Sequence, residues 1–124
     1  MRCIVKTIIC DIDGTIFKYS PRGTDQIMNE EPVLLPGIKE KFNEWEMAGH
    51  RIIIITGRRE SLRRWTEIQL TDAGIAFDTL LMGHADTERI LINDVASTGR
   101  VKAFAVSLDR DQGFEHENWE DLGL

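Results

Sequence analysis

The chain has 124 residues, enough for one domain spanning 1–124 with a real core, though near the small end of domain sizes. Its 15 Lys and Arg stand against 21 Asp and Glu, a formal net charge of −6. A partner bound along its phosphate backbone needs a basic face, so nucleic acid is not expected as a partner, whereas a small anionic substrate met by local cations is.

In chain order, Val5 to Cys10 is rich in Ile, Val and Thr, and the near-continuous apolar run from Thr7 to Ile12 predicts a central parallel strand buried on both faces. That run ends in Asp11-Ile12-Asp13-Gly14-Thr15. On extended backbone, side chains at i and i+2 leave on one side, so Asp11 and Asp13 point the same way, and Gly14 lets the chain turn beside them. Two like charges this close favour a cation between them, and an all-oxygen site suits Mg²⁺. Asp-Gly between apolar runs is also a hairpin signal. Cys3 and Cys10, about 23 Å apart on one extended segment, cannot share a disulfide and read as small apolar residues in a reducing compartment.

Lys18 to Glu31 is polar, with Pro21, Gly23, Asp25 and Asn29, and predicts a surface loop or small flap. A helix is expected after Pro36-Gly37, with Ile38, Phe42 and Trp45 inward at i, i+4, i+7, ending at Gly49. Arg51 to Thr56 is the second buried strand, closed by Thr56-Gly57-Arg58. A second helix is expected from Ser61 to Ala73, with Leu62, Trp65 and Leu70 inward and Gly74 closing it. Phe77–Leu81, Ile90–Asn93 and Ala103–Val106 complete five expected strands. No aliphatic run is longer than Ile52–Ile55, far too short for a bilayer, and Lys6 interrupts the N-terminal apolar stretch. A soluble cytoplasmic protein without a membrane partner is the expectation.

Strand, helix, strand, helix, strand predicts an α/β fold with a doubly wound, Rossmann-like and mostly parallel sheet, whose ligands bind beyond the carboxyl ends of the strands. Asp11, Asp13, Thr56, Asn93 and Asp94 should then meet at one rim. The second half is abbreviated. Only eight residues separate Leu81 from Ile90 and nine separate Asn93 from Ala103, too few for ordinary crossover helices.

These residues resemble the haloacid dehalogenase superfamily, whose first motif stands here as Asp11-Ile12-Asp13-Gly14-Thr15, its second as Ile52-Ile53-Ile54-Ile55-Thr56-Gly57-Arg58, and its fourth as Leu91-Ile92-Asn93-Asp94. The form most like it is the small capless phosphatase-like member, which also carries a run like Leu108-Asp109-Arg110-Asp111-Gln112-Gly113. The resemblance implies a Mg²⁺-dependent phosphomonoesterase of small metabolites such as sugar phosphates. Asp11 would be the nucleophile that forms an aspartyl-phosphate, and Asp13 the acid and base. Thr56 and Gly57 would hold the phosphoryl oxygens, and Asp11, Asp13, Asn93 and Asp94 the metal. The superfamily's bridging Lys has no counterpart in Met82 to Arg89, and Arg58, His84 and Arg110 are ranked as replacement cations ahead of Arg89, which is expected at the far end of strand four. Two alternatives stand beside this: a retired member that binds a phosphorylated ligand without turnover, and a receiver-type phosphoacceptor domain, disfavoured because strand two ends in Thr56. With only the flap above it, the rim is expected to be open unless a second copy of the chain covers it.

Overall fold

The computed structural model describes residues 4–124. Cys3 therefore lies outside the described residues; Cys10 is buried with a free thiol, whose pKa burial and the neighbouring Asp11 charge raise. Three strands, β1 (Thr7–Cys10), β2 (Arg51–Ile55) and β3 (Thr79–Leu81), form one parallel sheet in the order β1-β2-β3. The register sets Ile8 against Ile52, Cys10 against Ile54, and Ile54 in turn against Leu80. The expected α/β class and parallel sheet are both present.

Helix α2 (Ile38–Met47) joins β1 to β2, and α3 (Arg63–Asp72) joins β2 to β3. The i, i+4, i+7 spacing does its work in α2: Ile38, Phe42 and Trp45 are all buried, and the helix starts and stops beside left-handed Gly37 and Gly49. Phe114 comes back from the end of the chain to pack on Phe42 and Trp45, and Trp119 packs on Trp45, with ring centroids 5.5 to 6.1 Å apart. A 3₁₀ turn at Glu60–Leu62 precedes α3. On α3 the buried residues are Thr66 and Leu70; Trp65, expected inward, is 39% exposed. The flap is more ordered than its composition suggests, because it folds a short helix, α1 (Thr24–Asn29), around buried Ile27.

The second half departs from expectation. Neither Ile90–Asn93 nor Ala103–Val106 forms a strand, and Ile90, Ile92 and Phe104 are 81%, 90% and 65% exposed. This stretch instead makes an excursion closed by a turn, with the Ala96 N–H donating to the Arg100 carbonyl at 2.9 Å. The reason is connection length. To extend the sheet beside β1, the chain would have to leave β3, cross β2 and β1 at about 4.8 Å per strand, and return to the amino end within eight residues. Strand β1 is consequently an edge strand, not a central one, and Ile9 is 51% exposed. Among the described residues no helix is long and apolar enough to cross a membrane.

Candidate active site

The acidic turn is built on Ile12. Its fully buried side chain fixes the backbone, and its carbonyl accepts from the N–H groups of Thr15, Ile16 and Phe17 at 3.0, 2.7 and 3.1 Å. Gly14, at φ 88°, turns the chain where the Arg110 Cγ would lie 3.1 Å from any Cβ. The turn does not make a hairpin, since β1 pairs in parallel with β2. Asp11 and Asp13, on either side of Ile12, both line a cleft of about 210 Å³ at the carboxyl end of the sheet, together with Thr56, Gly57, Arg59 and Asp86.

Asp11 accepts from Thr15 Oγ1 at 3.3 Å and pairs with Arg89 Nη1 at 3.1 Å. Burial, reinforced by the Asp86 charge, holds its carboxyl above the ordinary carboxylate value, although Arg89 pulls the other way. Asp13 is gripped by a fork: Arg58 Nε reaches Oδ2 at 2.9 Å and Nη2 reaches Oδ1 at 2.8 Å. Arg58 is itself buried, with Nη1 donating to Thr66 Oγ1 at 3.1 Å and to Gln69 Oε1 at 2.8 Å, and its N–H donating to Thr56 Oγ1 at 3.1 Å. Gln69 Nε2 continues the chain of bonds to the Ile27 carbonyl in the flap at 2.8 Å. So the guanidinium expected on phosphate holds Asp13 in place and ties it to α3 and α1.

Gly57 is a close approach. A Cβ there would meet Asp86 Cβ at 3.0 Å and the His84 carbonyl at 3.2 Å, because residues 83 and 84 donate to the Arg58 and Thr56 carbonyls at 2.7 and 3.0 Å. This contact carries Asp86 into the cleft, while His84 is not among the lining residues and meets Thr56 and Gly57 through its backbone. Arg110 stacks on Tyr19, 4.4 Å from the ring centroid, and is not part of the cleft wall. Asn93 and Asp94 are not brought to the rim: Asn93 Nδ2 donates to Asp94, which is exposed and paired with Lys102 at 2.7 Å.

Of the expected metal set, Asp11 and Asp13 alone stand together, and among the described residues no group of three acidic, His or Cys side chains is placed to hold a metal. With both Asp13 oxygens on Arg58, the Asp11 carboxylate and the Asp13 carbonyl are the oxygens that still fit Mg²⁺, which is commonly held by one or two carboxylates plus waters and substrate phosphate. Sequence reasoning missed Asp86, Arg59 and Tyr19 on the wall, and set Arg89 at the wrong end. Asp86 had a signal, since it lies just past the carboxyl end of β3; Arg89 was misplaced because Ile90–Asn93 read as a strand.

An acid pair after one parallel strand and Thr-Gly-Arg after the next, facing one cleft, belong to the phosphatases of the haloacid dehalogenase superfamily. Residues 5–94 match the family model of the polynucleotide kinase PNKP phosphatase domain, HAD_PNKP, and the chain belongs to that family. Two solved structures, "Structure of the Pnkp1/Rnl/Hen1 RNA repair complex" and "Structure of Pnkp1/Rnl/Hen1 complex", match at TM-score 0.56 and 27% identity over 68% of this chain. The chain spans 28% and 30% of the length of those two. A D,D-heptose 1.7-bisphosphate phosphatase from B. bronchiseptica, complexed with magnesium and phosphate, matches at TM-score 0.48 and 21% identity over 66% of this chain and 52% of its own. No curated relative matches.

The exclusion of nucleic acid as a partner is corrected by these findings. The family is the phosphatase domain of a polynucleotide kinase, and two neighbours come from an RNA repair complex. Net charge is a guide to proteins that track many phosphates, and it does not exclude a nucleic-acid partner met by a few local cations.

Proposed function

We propose that this chain hydrolyses a phosphate monoester at the end of a polynucleotide. The observation that carries the reading is the Asp11 and Asp13 pair, held on one cleft wall by Arg89 and Arg58, in a chain of the PNKP phosphatase family.

Asp11 attacks phosphorus and the terminal oxygen leaves, giving an aspartyl-phosphate that water then cleaves, so that one hard displacement becomes two easier ones. Asp13 protonates the leaving oxygen and later takes a proton from the water, a contribution of about 10² to 10⁴ in rate. Mg²⁺, held by the Asp11 carboxylate and the Asp13 carbonyl, would neutralise charge on the phosphoryl group. Thr56 and Gly57 border the phosphoryl position, and Arg59 is the cleft cation whose guanidinium is not committed to Asp13. Arg89, paired with Asp11, is the cation that would take the part of the Lys that Met82–Arg89 lacks, and this pairing supports turnover over a binding-only reading.

The test is phosphate release from oligonucleotides bearing a 3′- or a 5′-phosphate, set against sugar phosphates, with Mg²⁺ and with chelator. Mg²⁺-dependent release from one polynucleotide end is expected, together with a fall of at least about 10³ for Asp11→Asn. Release from sugar phosphates alone, or an Asp11→Asn variant that keeps a tenth of the activity, rejects the reading.

A further inference from the structure

A second cleft of about 250 Å³ adjoins the first and shares Tyr19, Ser20, Ile27 and Arg58 with it. Its own walls include Lys18, Gln26, Glu30 and Glu31 of the flap, with Pro32 and Val33 just after it. We propose that this flap cleft receives the base of the terminal nucleotide, stacked on Tyr19, while its phosphate lies at Asp11. The inference rests on the polynucleotide-end reading above.

Four observations converge on it. A terminal nucleoside is bonded directly to the phosphate that Asp11 attacks, so it must lie next to the first cleft, and the second cleft shares a wall with it. The charge there does not favour another phosphate: Lys18 is matched by Glu31, Glu30 is paired with Arg22, and the Arg58 guanidinium is spent on Asp13, Thr66 and Gln69. An uncharged flat group with polar edges suits those walls, because Pro32, Val33 and Tyr19 offer apolar contact and Gln26 an amide. Finally, Tyr19 is fixed in place. Asp111 Oδ1 accepts from its N–H at 2.7 Å, and Asp111 adopts a left-handed φ of 64° to do so while its own N–H donates to the Gly14 carbonyl at 2.9 Å. Arg110 lies over the ring, so the aromatic platform is ordered before any ligand arrives.

The experiment compares kcat/KM for two oligonucleotides that differ only in whether the phosphate-bearing terminal nucleotide keeps its base, in wild type, Tyr19→Phe and Tyr19→Ala. Stacking on one aromatic side chain is worth about tenfold or more, so wild type and Tyr19→Phe should prefer the base-bearing end by about that factor, mainly through KM. Tyr19→Ala should bring the ratio to within about twofold of unity. A wild-type ratio near one, or a ratio unchanged by Tyr19→Ala, overturns the flap-cleft assignment and leaves the phosphatase reading standing. If Tyr19→Ala does not fold, Tyr19→Leu is read in the same way. Asp11-dependent release from a sugar phosphate with none from either oligonucleotide instead rejects the parent reading, so the two failures are told apart.

Discussion

Residues 7–86 and residues 87–111 obey different rules. In the first region two strands end in chemistry, each strand is pinned by a parallel neighbour, and each helix between them is long enough to close a crossover. The second region is as apolar in its runs, yet its connections are shorter and Ile90, Leu91 and Ile92 lie in solvent. The lesson is that a strand-like pattern becomes a strand only when the chain can reach a free sheet edge in register. Arg89 joins the two regions, because it stands at the start of the excursion and its guanidinium lies on Asp11.

Four measurements test that contrast, beginning with the largest effect. Arg58→Ala removes a buried guanidinium that satisfies Asp13, Thr66 and Gln69, and should cost about 4 kcal/mol of unfolding free energy in denaturant titration together with at least about 10² in turnover. Breaking the exposed pair in the second region with Lys102→Ala should cost under about 0.5 kcal/mol. Equal losses would mean that the two regions are equally packed. Next, Ile54→Ala leaves a cavity at a fully buried β2 position and should cost about 3 kcal/mol, whereas Ile92→Ala, at 90% exposure, should change stability by less than about 0.5 kcal/mol. A loss above about 2 kcal/mol for Ile92→Ala would show that Ile90–Asn93 is buried after all.

Arg89→Ala should slow phosphate release about 10²-fold, as when one preorganised charge-stabilising donor is lost, with little change in the denaturation midpoint because the pair is partly exposed. A stability loss without a rate loss would make Arg89 a strut between the regions and no part of the site. The smallest effect is in pH. His50 is buried at the entrance to β2, its Nδ1 accepts from the Lys6 N–H at 3.0 Å, and burial followed by the Lys6 charge holds its pKa below the ordinary 6.5. The unfolded chain therefore binds this proton more readily. Stability should be complete above pH 6.5 and fall as the pH drops through that value toward the folded-state pKa. His50→Gln should flatten this part of the curve, and an unchanged slope would assign the acid sensitivity to other groups.

Much of the first region was legible because its signals are local. The apolar run into Asp11-Ile12-Asp13-Gly14, the stripe Ile38, Phe42, Trp45 between left-handed glycines, and the run into Thr56-Gly57 each depend on residues a few positions apart. Short-range periodicity and turn chemistry decide such elements. The sequence by itself therefore determined the parallel α/β core and the placing of two acids and a threonine at its rim. Tertiary structure alone decided what those groups touch. Arg58 looked available for phosphate until a buried fork tied it to Asp13 across 45 positions, and Asp86 is packed on Gly57 by the turn after β3. Asp94 left the site and Arg89 entered it for one reason: eight residues are too short a path from β3 to the outer edge of β1, and that limit belongs to three-dimensional distance, which no local pattern encodes.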